Sequence, residues 1–455
     1  MRYQLAIIGG GPAGYTAAET AGKAGLNVVL FEKEALGGVC LNEGCIPTKT
    51  LLYSAKTYDG ANQASKYGVS IQDVSFDLPK IIARKQKVIR KLVLGIKAKL
   101  SNYNVNIIQG EAQILDQHTL QCGDDIYECD NLLLCTGSQT FIPPIKGLND
   151  ISFWTHRDAL NNKELPKSLI IIGGGVIGIE FASFFNSLGT HVTVIEMMDE
   201  ILGGMDKELA GALRSEYTKK GVRFLLNTRV VAVTPVLSDK NAEEVSVSYE
   251  NEFTQEIVVG EKLLLSVGRK PVKEGFGLEK LGLGMTARGN VLVNEKMQTS
   301  LTGVYVCGDL TGFSLLAHAA SREAEVAVHN ILSKKDAMSY RAIPGVVYTN
   351  PEIGGVGETE DSLQQKGLPF RVLKLPMAYS GRFVAENEGV NGICKMLLGP
   401  DNTILGAHVL GNPASEIITL AGIAIELKLT VNEWRKIIFP HPTVCEIFKE
   451  VLLDA

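Results

Sequence analysis

The sequence lacks several features that would define other classes of protein. It has no contiguous run of basic residues, and its 45 basic and 50 acidic side chains give a net charge of −5. That balance offers no argument for a nucleic-acid partner. The sequence also opens directly on an apolar stretch, without the charged segment, hydrophobic core and cleavage site of an export signal. We therefore expect a cytoplasmic protein.

The hydrophobicity pattern of the sequence also predicts no membrane-spanning segment. The most apolar long stretch, LIIIGGGVIGIEFASFF at 169–185, contains four glycines and the charged Glu180, so we expect no membrane span. Low-complexity stretches are missing as well. The chain has 455 residues, of which 45% are hydrophobic and 21% charged, as is usual for a globular protein. This length predicts two to four domains.

Closely spaced cysteines are scarce, since only one pair, Cys40 and Cys45, is found among eight cysteines. The other six stand apart among apolar neighbours and are expected to be buried free thiols. We predict no metal site. In a reducing compartment a structural disulfide is improbable, and a close pair is more often catalytic or metal-binding.

The segment GGVCLNEGCIPTK (37–49) raises the question of whether its two cysteines can bond. In a regular helix, Cα atoms five residues apart are about 8.6 Å apart. A disulfide needs roughly 4.4–6.8 Å. Gly44 and Pro47 permit a departure from helical geometry. The pattern favours a disulfide that opens and closes, and the alternative is a pair of thiols that never bond.

An internal repeat covers residues 5–33 and 169–197 at an offset of 164. Each copy has an apolar run, then G-x-G-x-x-G, then a helix-like segment and a second apolar run that ends in Glu32 or Glu196. Such glycines permit a tight turn and let backbone N–H groups approach a pyrophosphate, and the acid binds a ribose. The glycines are Gly9, Gly11 and Gly14 in the first copy and Gly173, Gly175 and Gly178 in the second.

Two such copies predict two bound dinucleotides. The second acid is followed by Met197, Met198, Asp199 and Glu200, so no nearby cation could bind a 2′-phosphate. This site should therefore prefer NAD over NADP.

We predict an α/β fold in which two Rossmann-like domains precede a C-terminal α+β domain. Residues 1–142 and 272–339 would form the first nucleotide domain, 143–271 the second, and 340–455 the last.

The segment 37–49 closely resembles the redox-active segment of the FAD-dependent pyridine nucleotide–disulfide oxidoreductases. The resemblance runs along the whole chain and includes both glycine fingerprints, the turns at 136–137 and 268–269, the Gly-Asp element at 308–309 and the ending HPTVCE at 441–446. Val39 and Thr48 depart from the commoner Thr and Ser, and Phe439 stands where histidine is frequent.

The resemblance implies roles for individual residues. Cys40 would attack the substrate, Cys45 would lie against the flavin as a thiolate, and Lys49 would sit near the flavin ring, paired with Glu180. FAD would be bound by Gly9, Gly11, Gly14, Glu32, Ala112, Thr136, Gly137, Asp309 and Ala317, and NAD by Gly173, Gly175, Gly178, Glu196, Val231 and Gly268. His318 lies in a family motif near the flavin, and we assign it no chemical role.

His441 is the candidate acid–base, because thiol–disulfide exchange requires protons to move near neutral pH and imidazole is suited to this. Glu446, five residues further on, would orient it. In this family the C-terminal domain forms a homodimer that delivers the histidine to the partner's disulfide.

The NAD preference and the Leu316-Ala317-His318 element resemble the branch that oxidises protein-bound dihydrolipoamide and passes two electrons through the disulfide and FAD to NAD⁺. The expected partner is then a lipoyl-bearing carrier protein of a 2-oxoacid dehydrogenase or glycine cleavage complex. Another NAD(P)H-dependent disulfide reductase and a non-catalytic redox-sensing flavoprotein subunit remain open. The last residues, VLLDA, lack the second cysteine pair of mercuric and large thioredoxin reductases.

Overall fold

The computed structural model describes residues 2–237 and 243–453. Two compact units are present. Unit 1 contains Met1–Thr50, Ala83–Phe141 and Gly268–Ser339, and unit 2 contains Leu51–Ile82, Ile142–Val267 and Tyr340–Ala455. No helix in the described ranges has both the length and the apolar character required to cross a bilayer. The division into three domains stays a prediction.

The strands in chain order are β1 (Arg2–Ile8), β2 (Val28–Glu32), β3 (Asn106–Gln109), β4 (Gln113–Asp116), β5 (Thr119–Cys122), β6 (Asp125–Leu134), β7 (Ser138–Thr140), β8 (Ser168–Ile172), β9 (His191–Ile195), β10 (Arg223–Leu225), β11 (Arg229–Leu237), β12 (Glu243–Glu250), β13 (Gln255–Gly260), β14 (Lys262–Leu265), β15 (Arg269–Pro271), β16 (Val304–Val306), β17 (Gly345–Val347), β18 (Ile353–Gly357), β19 (Arg371–Pro376), β20 (Ile393–Leu398) and β21 (Ile404–Leu410). The α-helices are α1 (Pro12–Lys23), α2 (Gly38–Glu43), α3 (Cys45–Asn62), α4 (Leu78–Asn102), α5 (His156–Asn161), α6 (Val176–Ser187), α7 (Lys207–Lys219), α8 (Ala317–Ile331), α9 (Glu360–Gln365), α10 (Gly381–Glu386), α11 (Ala414–Glu426), α12 (Val431–Trp434) and α13 (Ile447–Leu453).

Unit 1 is built on a seven-stranded sheet in the order β3-β2-β1-β6-β5-β4, with β16 also paired to β6. The pairings β1–β2, β2–β3, β1–β6 and β6–β16 are parallel. Every residue of β2 is buried, as expected for a parallel strand covered on both faces. Helix α1 lies against the sheet through alanines and Gly14, which allow close approach. These elements place the ends of β1 and β2 beside the start of α1.

Unit 2 contains a parallel sheet in the order β10-β9-β8-β14 and an antiparallel three-stranded sheet, β11-β12-β13. The run from β8 through α6 to β9 repeats the arrangement of β1, α1 and β2. A five-stranded antiparallel sheet, β17-β18-β21-β20-β19, packs against α11 and α13. The expected α/β fold with a C-terminal α+β region is therefore observed.

A buried lysine joins three elements of unit 2. Lys395 on β20 is 1% exposed, and its Nζ lies 3.0 Å from Asp206 Oδ2, 2.7 Å from Glu208 Oε2 and 2.6 Å from Glu360 Oε1. Asp206 also accepts a hydrogen bond from the Leu209 N–H and so caps α7. The cluster therefore links β20 to the start of α7 and to α9, because a buried ammonium requires anionic partners.

Replacing Lys395 by methionine should destabilise the protein by about 3 kcal/mol, because Asp206 would keep a buried charge without its counter-ion. Thermal unfolding of Lys395→Met measures this. The double variant Lys395→Met/Asp206→Asn should recover part of the loss. Equal destabilisation in the single and double variants would contradict an electrostatic origin.

Candidate active site

The first glycine-rich turn forms a cradle at the start of α1. Gly9 has φ +102°, which only glycine adopts readily. A Cβ on Gly14 would collide with the Gly9 carbonyl oxygen. Glu32, at the end of β2, accepts hydrogen bonds from the Gly10 N–H (2.7 Å) and from the Glu34 N–H (2.7 Å). The acid thus holds the glycine turn in place.

The second cradle repeats this geometry at the offset seen in the sequence. Gly173 has φ +107°, and Gly178 approaches the Gly173 carbonyl as Gly14 approaches that of Gly9. Glu196 accepts hydrogen bonds from the N–H groups of Gly174 (2.6 Å) and Met198 (2.8 Å). These three positions are those of Gly10, Glu32 and Glu34 moved by 164 residues. The internal repeat therefore extends from the amino-acid sequence to the hydrogen bonds of the glycine turn.

Both cradles suit the phosphates of a dinucleotide. Helices α1 and α6 begin at N-cap Gly11 and Gly175, and neither has an acidic residue in its first turn. A Cβ on Gly175 would meet no atom within 4 Å, so open space adjoins this helix N-terminus. The positive end of each helix dipole, with its free N–H groups, is favourable for an anion. The residues thus fit two dinucleotides.

A chain of polar contacts adjoins the first cradle. Asp309 accepts a hydrogen bond from the Ser138 hydroxyl, and Arg269 donates both to Ser138 Oγ (2.7 Å) and to the Ser138 carbonyl (2.6 Å). Glu323, completely buried on α8, accepts a hydrogen bond from the Gly308 N–H at 2.6 Å. These contacts fix the position of Asp309. Sequence reasoning missed Ser138 and Glu323, although Ser138 directly follows the predicted Thr136-Gly137 turn.

Cys40 and Cys45 form a disulfide, as the sequence pattern favoured, with Cα atoms 4.7 Å apart. Helix α2 ends at Glu43, and Gly44 has φ −135° and ψ −105°, so the chain breaks there and α3 starts at Cys45. A side chain on Gly44 would approach the Val39 carbonyl oxygen at 3.1 Å. Gly44 therefore makes the departure from helical geometry. Pro47 lies in the first turn of α3, where proline is tolerated.

The other cysteines are poor candidates for redox chemistry. Cys129, Cys135, Cys307 and Cys394 are buried, as expected, whereas Cys122 and Cys445 are half-buried. Burial raises the pKa of Cys135 and Cys307 well above that of an ordinary thiol. A thiolate is the reactive form of cysteine, so these groups are inert.

A cavity of about 310 Å³ opens beside the disulfide within unit 1. Its walls include Cys40 but not Cys45, with residues of α1 and α4 around it: Tyr15, Glu19, Leu92, Ile96 and Lys99. Lys99 Nζ lies 3.2 Å from Glu19 Oε1, so the charged groups of this largely apolar space neutralise each other. A substrate in the cavity would meet Cys40 first.

His441 and Glu446 form the contact that the sequence predicted. His441 Nδ1 lies 3.0 Å from Glu446 Oε1, and the imidazole is 81% exposed within the chain. Glu446 Oε2 accepts a hydrogen bond from the Thr443 N–H at 2.8 Å, and this bond, together with that to His441, holds the pKa of Glu446 below its usual value. The ionised carboxylate fixes the Nδ1–H tautomer and leaves Nε2 to exchange a proton.

The remaining predicted residues lie in both units. Lys49 is on α3, and Glu180, on α6, is 3% exposed and accepts a hydrogen bond from the Tyr348 N–H at 3.0 Å. The other positions are Ala112, which is buried between β3 and β4, Thr136 and Gly137 after β6, Val231 at an irregularity of β11, Gly268 between β14 and β15, and Ala317 and His318 at the start of α8. Their roles stay predictions.

Two dinucleotide cradles and a disulfide beside the first define a class: an oxidoreductase that couples a cysteine pair to bound nucleotides. The family model described as "Pyridine nucleotide-disulphide oxidoreductase" matches residues 3–324, and that of the family's dimerisation domain matches residues 343–452. The chain belongs to the pyridine nucleotide-disulphide oxidoreductase family.

Curated relatives with full-length similarity are dihydrolipoyl dehydrogenases. That of Mycoplasma pneumoniae is 36% identical, covering 100% of this chain and 99% of the relative, and that of Geobacillus stearothermophilus is 36% identical, covering 98% and 94%. Among solved structures, LpdA from Mycobacterium tuberculosis is 27% identical with a TM-score of 0.90, covering 100% and 99%. A Cu(II) complex of the HOCl-induced flavoprotein disulfide reductase RclA from Escherichia coli is 28% identical with a TM-score of 0.87, covering 100% of both chains.

Proposed function

We propose that this protein is a dihydrolipoyl dehydrogenase, which oxidises protein-bound dihydrolipoamide and reduces NAD⁺ by way of FAD. The observation that carries the proposal is the Cys40–Cys45 disulfide, with Cys40 alone facing an apolar cavity. Such a cavity suits the aliphatic arm of a lipoyl group. The full-length similarity to dihydrolipoyl dehydrogenases supports the same substrate.

The proposed thiol chemistry uses the disulfide and His441. One substrate thiol loses its proton to His441 Nε2 and attacks Cys40 Sγ, so the Cys40–Cys45 bond breaks and Cys45 leaves as a thiolate. The second substrate thiol then attacks the sulfur bonded to Cys40 and gives up its proton as Cys40 leaves, so the lipoyl disulfide closes and Cys40 is released as a thiol. The substrate has lost two electrons, and the cysteine pair has gained them. Lys49, one turn beyond Cys45, favours the thiolate.

FAD, when bound, would accept two electrons from the reduced cysteine pair, which restores the disulfide, and would pass them to NAD⁺. Glu32 and Asp309 would hold its ribose and ribityl hydroxyls, while Gly9, Gly11 and Gly14 admit the pyrophosphate. The second cradle, with Glu196, would hold NAD through the same contacts.

The assembly that we propose is a homodimer, for which the dimerisation domain at 343–452 is the support. In it, His441 of one chain would serve the disulfide of the other. The electron donor would be the lipoyl-bearing carrier of a 2-oxoacid dehydrogenase or glycine cleavage complex, and the compartment the cytoplasm.

A steady-state comparison tests this function. Purified protein reconstituted with FAD should turn over dihydrolipoamide with NAD⁺ much faster than it reduces glutathione disulfide, Hg²⁺ or Cu²⁺ with NADH or NADPH. Faster turnover of one of those alternatives would assign the protein to another branch of the family. Absence of all turnover, with FAD bound, would favour a redox-sensing subunit.

The coenzyme preference should respond to one residue. Glu196→Arg removes the ribose acceptor and adds a cation for a 2′-phosphate, so KM for NADH should rise and that for NADPH should fall. Initial rates with both coenzymes measure the change. Glu216→Arg, on the surface helix α7, is the control for the change in charge. An unchanged preference in Glu196→Arg would refute the assignment of the second cradle.

A further inference from the structure

The cavity beside Cys40 lies between one face of α1 and one face of α4. On each helix its wall residues recur at intervals of three or four positions, which places them on the same side of the helix. They include Pro12, Tyr15 and Glu19 on α1 and Leu92, Ile96 and Lys99 on α4. The cavity therefore has two helical walls.

The disulfide and the charged residues of the cavity lie at different ends of the α1 wall. A Cβ on Gly38, two residues before Cys40, would lie 2.7 Å from the Gly11 Cα, so the redox-active segment packs at the start of α1. Glu19 follows Gly11 by eight residues, which is about 12 Å along a helix axis. A substrate whose sulfur reacts at Cys40 would therefore extend its arm along this wall towards Glu19.

Glu19 binds two ammonium groups at the far end of the wall. Its Oε1 accepts hydrogen bonds from Lys23 Nζ at 2.6 Å and from Lys99 Nζ at 3.2 Å. The Glu19 side chain is 18% exposed, whereas both lysine side chains are half or more exposed. Burial would raise the pKa of Glu19, but the hydrogen bonds from the two lysines outweigh it and hold the pKa below its usual value. Glu19 is therefore ionised at neutral pH and offsets the charge of Lys99.

The rest of the cavity wall is uncharged. In the part of the chain that the structure describes, Glu19 and Lys99 are the charged residues that line the cavity. Burial raises the pKa of the Tyr15 phenol, as does the charge of Glu19, so Tyr15 stays neutral. Charges beside apolar walls are screened less than charges in water, so the balance of Glu19 and Lys99 acts on any charge that the substrate arm carries.

We propose that Glu19 cancels the charge of Lys99 in the cavity wall and so makes the cavity select a dithiol with an uncharged arm over one that ends in a carboxylate. The proposal rests on the function proposed above, because the amide that joins a lipoyl group to its carrier is uncharged. Without Glu19, Lys99 would attract a carboxylate at the end of the arm. Without Lys99, Glu19 would repel it. An amide would respond weakly to either change.

Dihydrolipoate and dihydrolipoamide test this selection, because they differ only in the carboxylate or amide at the end of the arm. The measurement is the ratio of kcat/KM for dihydrolipoate to kcat/KM for dihydrolipoamide. In Glu19→Gln the ratio should rise about tenfold, because Lys99 and Lys23 lose their counter-ion, and added salt should reduce the rise. In Lys99→Gln the ratio should fall about threefold, because the carboxylate then meets Glu19. The double variant should return to within about twofold of wild type.

Glu325→Gln is the matched control, since Glu325 forms an ion pair with Arg322 on α8 and is not part of the cavity wall. Its ratio should equal that of the wild type, and a rise as large as that of Glu19→Gln would attribute the effect to net charge and overturn the proposal. Equal changes for both substrates in Glu19→Gln would mean that the ion pair only joins α1 to α4. Shifts of the same sign in Glu19→Gln and Lys99→Gln would also contradict charge selection.

Labelling of Cys40 separates this inference from the proposed function, because it requires no turnover. In the Cys45→Ser background, maleimidohexanoic acid and its amide bring the same arm to the Cys40 thiol with and without a charge. The ratio of the two labelling rates, acid to amide, should rise several-fold when Glu19→Gln is added, as mass spectrometry of the labelled peptide measures. Such a rise, in a protein whose parent turns over neither dithiol, would retain the charge selection and refute the enzyme activity. Turnover of dihydrolipoamide with an unchanged labelling ratio would do the reverse.

Discussion

Cys40→Ser is expected to show no dihydrolipoamide turnover above background. The first step needs a disulfide whose cavity-facing sulfur accepts the substrate thiolate, and serine oxygen cannot form that bond. Turnover of dihydrolipoamide with NAD⁺ measures the loss. The oxidation of NADH by ferricyanide, which does not require the disulfide, should survive and shows that both nucleotide sites remain intact.

Cys45→Ser is the matched variant. It should be equally inactive, but it leaves the cavity-lining thiol of Cys40 free, so iodoacetamide should alkylate it faster than the Cys45 thiol that remains in Cys40→Ser. Mass spectrometry of the labelled peptides gives the two rates. The opposite order would exchange the roles of the two cysteines.

His441→Ala should lower turnover by about 10²–10⁴-fold, which is the usual contribution of a general acid–base. Binding of FAD should not change, because His441 lies outside both cradles. Glu446→Gln should have a smaller effect, since it keeps a hydrogen-bond acceptor for Nδ1–H but removes the charge that stabilises a protonated imidazole. Initial rates across pH check both variants. Near-normal turnover of His441→Ala at neutral pH would remove this residue from the mechanism.

Mixing the two inactive variants extends this prediction to the dimer. If Cys40→Ser and His441→Ala chains are unfolded together and refolded, about half of the dimers should be hybrids by random pairing. One site of each hybrid combines both intact groups, so activity should return to about a quarter of wild type if the sites act independently. Hybrids seen by native mass spectrometry without activity would mean that each site is built within one chain.

The nucleotide cradles could be predicted from the sequence because glycine has few substitutes there. Gly9 and Gly173 need positive φ, and Gly14 and Gly178 leave no space for a side chain. Such requirements are local, so they appear as fixed spacing. The pairing of Cys40 with Cys45 and that of His441 with Glu446 could be predicted for the same reason, since the two members of each pair are five residues apart.

Contacts between distant segments could not be predicted in this way. Glu323 lies 15 residues from Gly308, and Ser138 lies 171 residues from Asp309, so no spacing rule connects them. Lys395 appears in an ordinary strand, and only the fold brings Asp206 to it from 189 residues away.

The two cradles differ in one respect that bears on how long each would retain its ligand. Gly38 packs so closely over Gly11 that a Cβ on it would lie 2.7 Å from the Gly11 Cα, whereas Gly175 has open space around it. Glu32 is 7% exposed, and Glu196 is more exposed to solvent. Because the backbone of Gly38 packs closely over Gly11, we expect slow exchange and permanent occupancy in the first cradle. The open second cradle suits a molecule that arrives and departs in every catalytic cycle.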